Sequence, residues 1–597
     1  MFTRLSTQAA ASVKASAAWQ RRTFQKSALW ENGSFIHHRR HQVPLIAVSS
    51  SLVAMMCLTI CQDDDNVARW GDSFQRRNPK GGLTTTTQLD AAVVAVDDED
   101  EDASTVLLNW SGTHAVTVPN TKYHEPESIA EVEAIVAECH KIGQAVRPLG
   151  SALSPNAIGF NNEGMLCMSN LDHIVEVDLD KSEVTVQAGA RVAQVVEALR
   201  PHGLTLPNLA SIAEQQMGGF VQVGAHGTGQ TVAPVDHYVT RLKIVTPGRG
   251  TIVLTAEDGD IFHLAKVGLG CLGVVVELTM QCIPAHRLVE HTFVLTREEA
   301  FERLDELLTK YKHMRYMWIP YTDAVVCVTN HPEELVDNIP KTKPLPEAQR
   351  FAPLRDLLKE LTKDSEESFT DETMKGMGFG ELRDALLAID PLNIEHVKQV
   401  NAAEAEFWRR SSGFQVKPSD ELLQFDCGGQ QWVWEVCFPT GKVNGSNGND
   451  MEFMKQLLKG IEEKKIPAHS PIEQRWSAAS SSFMSPAHGP ADGLFSWVGI
   501  INYLPLDNDR QRREITDLFK GPYCDLMRSV CVPFTAVSHW AKLERPSSIW
   551  KLVDTQILLQ SKYPVDAFNQ LRSIYDPKNV MANPLLNMVL GDPRGKK

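Results

Sequence analysis

Cysteine is scarce and unpatterned in this 597-residue chain, which has 11 cysteines and no CxxC pair. That excludes a disulfide framework or a zinc module, and no metal site is expected. Positive charge is not in surplus either: 59 Lys and Arg face 74 Asp and Glu, for a net charge of −15. A nucleic-acid partner is therefore excluded. Glycine (38) and proline (32) are too few for a collagen-like or low-complexity chain, and no internal repeat is visible. What remains is ordinary globular composition, 43% hydrophobic and 22% charged, on a chain long enough for several domains.

The N-terminus departs from that composition. Residues 1–43 carry Arg4, Lys14, Arg21, Arg22, Lys26, Arg39 and Arg40 against the single acid Glu31, among many Ser and Ala. This reads as a mitochondrial presequence, an ordinary polar tail being the alternative. Residues 44–61, PLIAVSSSLVAMMCLTIC, hold no charge. Eighteen residues at helical rise span a hydrocarbon core, so the segment is a candidate transmembrane anchor or sorting signal, or else part of the presequence. Residues 62–104 hold 11 acids and four bases and read as a solvated acidic linker.

From about Asn109 the pattern becomes globular. ESIAEVEAIVAECHKIG has helical spacing, IVEVDLDKSEVTVQAGA reads as two strands around a turn, and VAQVVEALRPHG reads as a helix. RLKIVTP, GTIVLTA and GVVVELTMQC follow as strands. The fold class is α+β, without the strand–helix alternation of a doubly wound sheet. Past Ala285, Arg297–His313 and Pro353–Lys363 read as charge-rich helices of a second domain. FWRR, WVWEVCFP, FSWVGIINYLP and VPFTAVSHWAKLE read as its apolar strands. Residues 336–377 give no functional reading.

Gly268, Gly270 and Gly273 spell GxGxxG, but helix-like FHLAKV precedes them and the β-branched run VVVELTM follows. A dinucleotide fingerprint needs the opposite order, strand then helix, so tight turns before a strand are the better account. Two other loops carry more: RPLGSALSPN (Arg147–Asn156) and GGFVQVGAHGTGQ (Gly218–Gln230). Small residues there allow close backbone approach, and a nest of backbone donors can cradle a diphosphate.

These loops, with NLASIAEQQMGG, SPIEQRW, SHWAKLE and YDPKNVMAN in that order, closely resemble the plant-type L-galactono-1,4-lactone dehydrogenases. These belong to the aldonolactone oxidoreductases of the vanillyl-alcohol-oxidase type of FAD proteins. The resemblance runs from about Asn109 to the C-terminus and is looser between about Val336 and Phe425. It implies a two-subdomain FAD-binding domain (105–285), a cap or substrate domain (286–535), and a C-terminal segment (536–597) returning to the flavin. By resemblance FAD is held by Arg147, Gly150, Ser151, Ala152, Ser154 and Asn156, and by Gly219, Gly224, His226, Gly227, Thr228 and Gly229. Gly273 and Val275 also contact it. Related oxidases bond the flavin to a histidine in the first loop; Leu153 stands there in this chain, which implies non-covalent FAD.

Glu473 and Arg475, a Glu-x-Arg pair in SPIEQRW, project to one side if that segment is a strand. Spacing alone fits a surface ion pair as well. The resemblance assigns Glu473 to substrate hydroxyls and Arg475 to negative charge developing in the reaction. His539 and Lys542 are implied as contacts near the flavin ring, a structural histidine being the alternative for His539. Ala210 matches a position where related oxidases carry glycine, and implies a methyl group that blocks oxygen. Cys437 matches a family cysteine near the substrate channel, which suggests an oxidation-sensitive thiol where a buried apolar one is the alternative.

The function implied is oxidation of L-galactono-1,4-lactone to L-ascorbate with cytochrome c as acceptor, at the mitochondrial inner membrane facing the intermembrane space. An aldonolactone oxidase using oxygen is the alternative. Since plant-type relatives take part in respiratory complex I assembly, a scaffold role is a further one.

Overall fold

The computed structural model describes residues 92–94 and 103–595, apart from 341–343, 366–367 and 426. The presequence and the charge-free run at 44–61 lie outside the described residues. No described helix is long and apolar enough to cross a membrane. Within the expected acidic linker, Ala92–Val94 is a strand paired antiparallel with Ser104–Leu108, so that segment is not linker throughout.

The first domain forms where the sequence alternates short apolar runs with turns. Its helix Ile129–Ile142 starts at Ser128, whose side chain accepts from the Glu131 N–H, and ends at Gly143 in the left-handed region. A five-stranded antiparallel sheet follows the order Gly250–Thr255, Val239–Thr246, Val274–Gln281, Glu183–Gln187, Ile174–Asp178. A small parallel sheet joins Tyr123–His124, Met165–Cys167 and Arg147–Leu149. Gly273 opens directly into the strand Val274–Gln281, the strand order that argues against a dinucleotide fingerprint. Residues from the C-terminal helices Ile549–Lys562, Val565–Tyr575 and Pro584–Leu590, among them Leu559, Phe568 and Leu586, pack into this domain's core.

The second domain is a nine-stranded antiparallel sheet spanning Arg287 to Ser538. At its centre, His313–Trp318, Ile472–Ala478, Gly493–Tyr503 and Gln431–Lys442 lie side by side in that order. Helices Asn449–Lys464 and Cys524–Phe534 cover one face through a core that includes Phe453, Leu457, Trp476, Val498 and Met527.

Several local expectations are corrected here. FWRR is the end of the helix Ile394–Arg410 and no strand; its aromatic pair packs on neighbouring helices through Phe351 and Phe379. VPFTAVSHWAKLE contributes only the two-residue strand Val537–Ser538, between the end of a helix and a short 3-10 turn. The charge-rich stretch from Arg297 breaks into Arg297–Glu302 and Leu304–Lys310, and a strand begins at His313. Pro353 does not start its helix: Glu347–Thr362 begins six residues earlier and carries the proline inside it.

Candidate active site

Strand alternation separates the two faces of the central sheet. Gln474 and Trp476 project toward the covering helices, while Glu473 and Arg475 project to the opposite face. Register places Arg475 opposite Arg315 on one side and Trp497 on the other, and Glu473 opposite Met317 and Gly499. Gly499 in turn faces Glu435, and Trp497 faces Cys437. One face of four strands thus brings Arg315, Glu473, Arg475 and Glu435 together.

Glu435 is the hub, and sequence reasoning missed it. Its buried carboxylate accepts from Arg475 Nη2 at 2.7 Å and from Lys542 Nζ at 2.5 Å, and lies 3.1 Å from His226 Nε2. Burial works to raise its pKa, but Lys542, Arg475 and His226 together hold the carboxyl well below the ordinary value. Burial likewise works against the Arg475 charge, and Glu473 and Glu435 more than offset it, so its pKa rises. Arg475 Nε, 3.5 Å from Glu473 Oε2, makes no hydrogen bond among the described residues. Burial lowers the pKa of both His226 and His539. Arg315, Arg475 and Lys542 are matched by Glu473, Glu435 and the buried Glu290, which also acts on Arg315, so the formal charges of this largely buried site balance. His226, Glu435 and His539 lie close enough to hold a metal ion. The ammonium and guanidinium already on that carboxylate oppose a second cation there.

The first-domain loops complete the site. His226 stacks on Trp497 at 3.7 Å between ring centroids, and Thr228, two residues on, is stitched to the nine-stranded sheet by its side-chain bond to the Met314 carbonyl. Gly229 N–H donates to the Trp476 carbonyl at 2.7 Å. Gly227 must be glycine: a Cβ would fall 2.3 Å from Asn208 Oδ1 and 2.4 Å from the Leu209 carbonyl oxygen. The loop leading to Ala210 is thereby laid against the second loop, with Ala210 partly buried. In the first loop, the backbone N–H groups of Gly150, Ser151, Ala152, Leu153 and Ser154 have no acceptor among the described residues. Those of His226, Gly227 and Thr228 also have none. Two runs of unspent amides suit an anionic group such as a diphosphate.

Some expected ligands have other work. Arg147 is buried, and its guanidinium donates to the carbonyls of Ile158, Leu269, Gly270 and Met581. Asn156 donates to Trp540 and Leu543 carbonyls at 2.9 and 2.8 Å, fastening the first loop to the C-terminal segment. Val275 packs in the first-domain core, and Gly219 is exposed with open space where a Cβ would stand. His539 Nδ1 accepts from the Ala541 N–H at 3.0 Å, and the backbone N–H of His539 donates to the Glu435 carbonyl.

Residues 121–256 match the family model described as an FAD binding domain, and residues 278–589 match D-arabinono-1,4-lactone oxidase. The L-galactono-1,4-lactone dehydrogenase of Arabidopsis thaliana, named mitochondrial, is 47% identical over 500 residues, covering 82% of this chain and 81% of that protein. This chain belongs to the L-galactono-1,4-lactone dehydrogenase family. A similarly named protein of Brassica oleracea is 46% identical, with 82% of each chain covered. The L-gulonolactone oxidase of Bos taurus is 26% identical, covering 81% of this chain and 97% of that one. A crystal structure of cholesterol oxidase from B. sterolicum superposes with a TM-score of 0.61 at 16% identity, over 82% of this chain and 97% of that chain. That likeness concerns the fold, which is the vanillyl-alcohol-oxidase type of FAD fold.

FAD is the cofactor of this dehydrogenase family member, and the unspent amides of both loops fit its diphosphate. Of the cysteines, Cys437 is 1% exposed, and burial pushes its thiol well above the ordinary range, which corrects the expectation of a reactive thiol there. Cys427 stands nearer the charged groups: its thiol is pushed up to about 11, by burial first and by Glu473 next. Glu435 had one sequence signal, a lone acid within the apolar run WVWEVCFP.

Proposed function

We propose that this chain oxidises L-galactono-1,4-lactone to L-ascorbate and passes the electrons to cytochrome c in preference to oxygen. The observation that carries the reading is the buried Arg475 guanidinium, fixed between Glu435 and Glu473 on the sheet that the second loop is stitched to. The names of the relatives at 45–47% identity supply the substrate.

Held without a covalent bond, as Leu153 in the first loop implies, FAD would supply a two-electron acceptor for the hydride of the lactone carbon next to the carbonyl; the hydroxyl proton leaves to solvent, and the keto-lactone product enolises to ascorbate. The Glu473 carboxylate, partly open to solvent, accepts hydrogen bonds from the sugar hydroxyls. Arg475 sets a fixed cation where negative charge grows, so its attraction strengthens toward the transition state. Glu435 holds Arg475 and Lys542 in place, so neither needs to reorient during the reaction. Ala210 presents a methyl group on the loop beside Gly227, and excludes oxygen by occupying its approach. The basic, Ser-rich N-terminus and the relatives named mitochondrial support a mitochondrial location, and we place the enzyme at the inner membrane facing the intermembrane space.

The test is an anaerobic titration of the FAD-loaded full chain with the lactone, followed at the flavin's visible absorbance. Bleaching reversed quickly by cytochrome c and slowly by air is expected. Fast recovery in air would assign an oxidase; no bleaching at all would overturn the substrate. Ala210→Gly should speed recovery in air, and an unchanged rate would remove the oxygen-excluding role.

A further inference from the structure

Glycine in a central strand is unfavourable by about 0.5–1 kcal/mol relative to alanine, so a buried one that the backbone does not need calls for another reason. Gly499 is such a residue. It lies mid-way along Gly493–Tyr503, with Ile472–Ala478 on one side and Gln431–Lys442 on the other. Its φ is not in the left-handed region. A Cβ there would meet nothing closer than 3.7 Å, and the nearest atoms all belong to Glu435. Neither conformation nor crowding requires the glycine.

What the missing side chain leaves is a notch on the charged face. Along the strand, Trp497 and Ile501 stand on the same face two residues before and after Gly499. Across it, Glu435 and Glu473 are its direct register partners. Beside Glu473, the unspent Arg475 Nε–H is 94% buried by residue. Two carboxylates and one N–H that makes no hydrogen bond among the described residues, around a strand position without a side chain, suit a small polyhydroxylated ring bearing a carbonyl.

We infer that Gly499 is the floor of the lactone subsite and sets the size of ring the site admits. This rests on the proposed function, which puts the lactone on this face. The ring lies over Gly499, with hydroxyls toward the carboxylates and its carbonyl toward Arg475 Nε–H. A methyl group at this position leaves the fold intact and takes the ring's place.

The experiment compares the full-length, FAD-loaded wild type with Gly499→Ala and Gly499→Val. Calorimetric titration uses a 2-deoxy-aldono-1,4-lactone, which lacks the hydroxyl to be oxidised and so reports binding alone. Thermal unfolding and flavin content are measured alongside. Gly499→Ala should weaken binding about tenfold and Gly499→Val further, and KM for the oxidisable lactone should rise more than kcat falls. Melting temperature of the alanine variant should be equal or higher, at unchanged flavin content. Unchanged affinity in both variants would overturn the inference alone. An alanine variant that loses stability and flavin would overturn it too, by showing that the fold needs the glycine. A wild type that neither binds this lactone nor is reduced by L-galactono-1,4-lactone would overturn the proposed function, and the inference with it.

Discussion

One strand, Ile472–Ala478, serves two faces built on opposite principles. Trp476 on one face is fully buried, packed edge-on to Tyr316 at 5.4 Å, and its indole N–H donates to Asp450 at 2.9 Å. Arg475 on the other face is nearly as buried, yet its Nε–H makes no hydrogen bond among the described residues and two carboxylates stand beside it. Trp476 is satisfied from within, whereas Arg475 and its two carboxylates concentrate buried charge on the second face. Burial alone therefore does not tell core from site, whereas clustered buried charge does.

The contrast is open to attack from both sides. Trp476→Ala should cost about 3–5 kcal/mol, as expected for a buried tryptophan, while turnover per folded molecule is kept. Chemical denaturation paired with an active-site count measures both. Arg475→Ala should do the reverse, lowering kcat on the order of 10²–10³-fold as for loss of a fixed charge at the reacting centre. Steady-state kinetics with an unfolding curve would detect it, and a variant that mainly unfolds would erase the distinction between the faces.

A smaller effect is expected in acid. Burial lowers the pKa of His114 and His313 to about 3 and of His469 to about 4, from an ordinary 6.5. Between those values the unfolded chain binds the protons that the folded chain refuses, so stability should fall as pH drops below 6.5. Glu435 adds a second component lower down. Its folded pKa is depressed, so its contribution is full above its ordinary 4.5 and is lost as pH falls through the folded value. Melting temperature against pH for wild type and Glu435→Gln should differ in slope only below about pH 4.5, since that is where an unfolded carboxyl titrates.

Much of this was legible in the residues. The Glu-x-Arg spacing correctly put Glu473 and Arg475 on one face, because a strand repeats every two residues whatever surrounds it. The helical spacing of ESIAEVEAIVAECHKIG corresponds to the helix Ile129–Ile142, and the run after Gly273 was read as the strand it is. FWRR misled because aromatic residues suit both strands and helix packing, and in a four-residue run the period cannot be read. Arg147 was expected at FAD by resemblance; in the fold its donors end on four carbonyls from three segments of the chain.

The sequence by itself determined local periodicity, the turn chemistry of the two loops and the face on which Glu473 and Arg475 lie, since these depend on neighbours a few residues apart. The tertiary structure alone decided that Glu435 joins Arg475, 40 residues away, Lys542, 107 away, and His226, 209 away. It decided as well that Gly499 stands between two carboxylates. The physical reason is that charge–charge interactions and packing act through space: sheet register and domain docking set those distances, and no spacing along the chain encodes them.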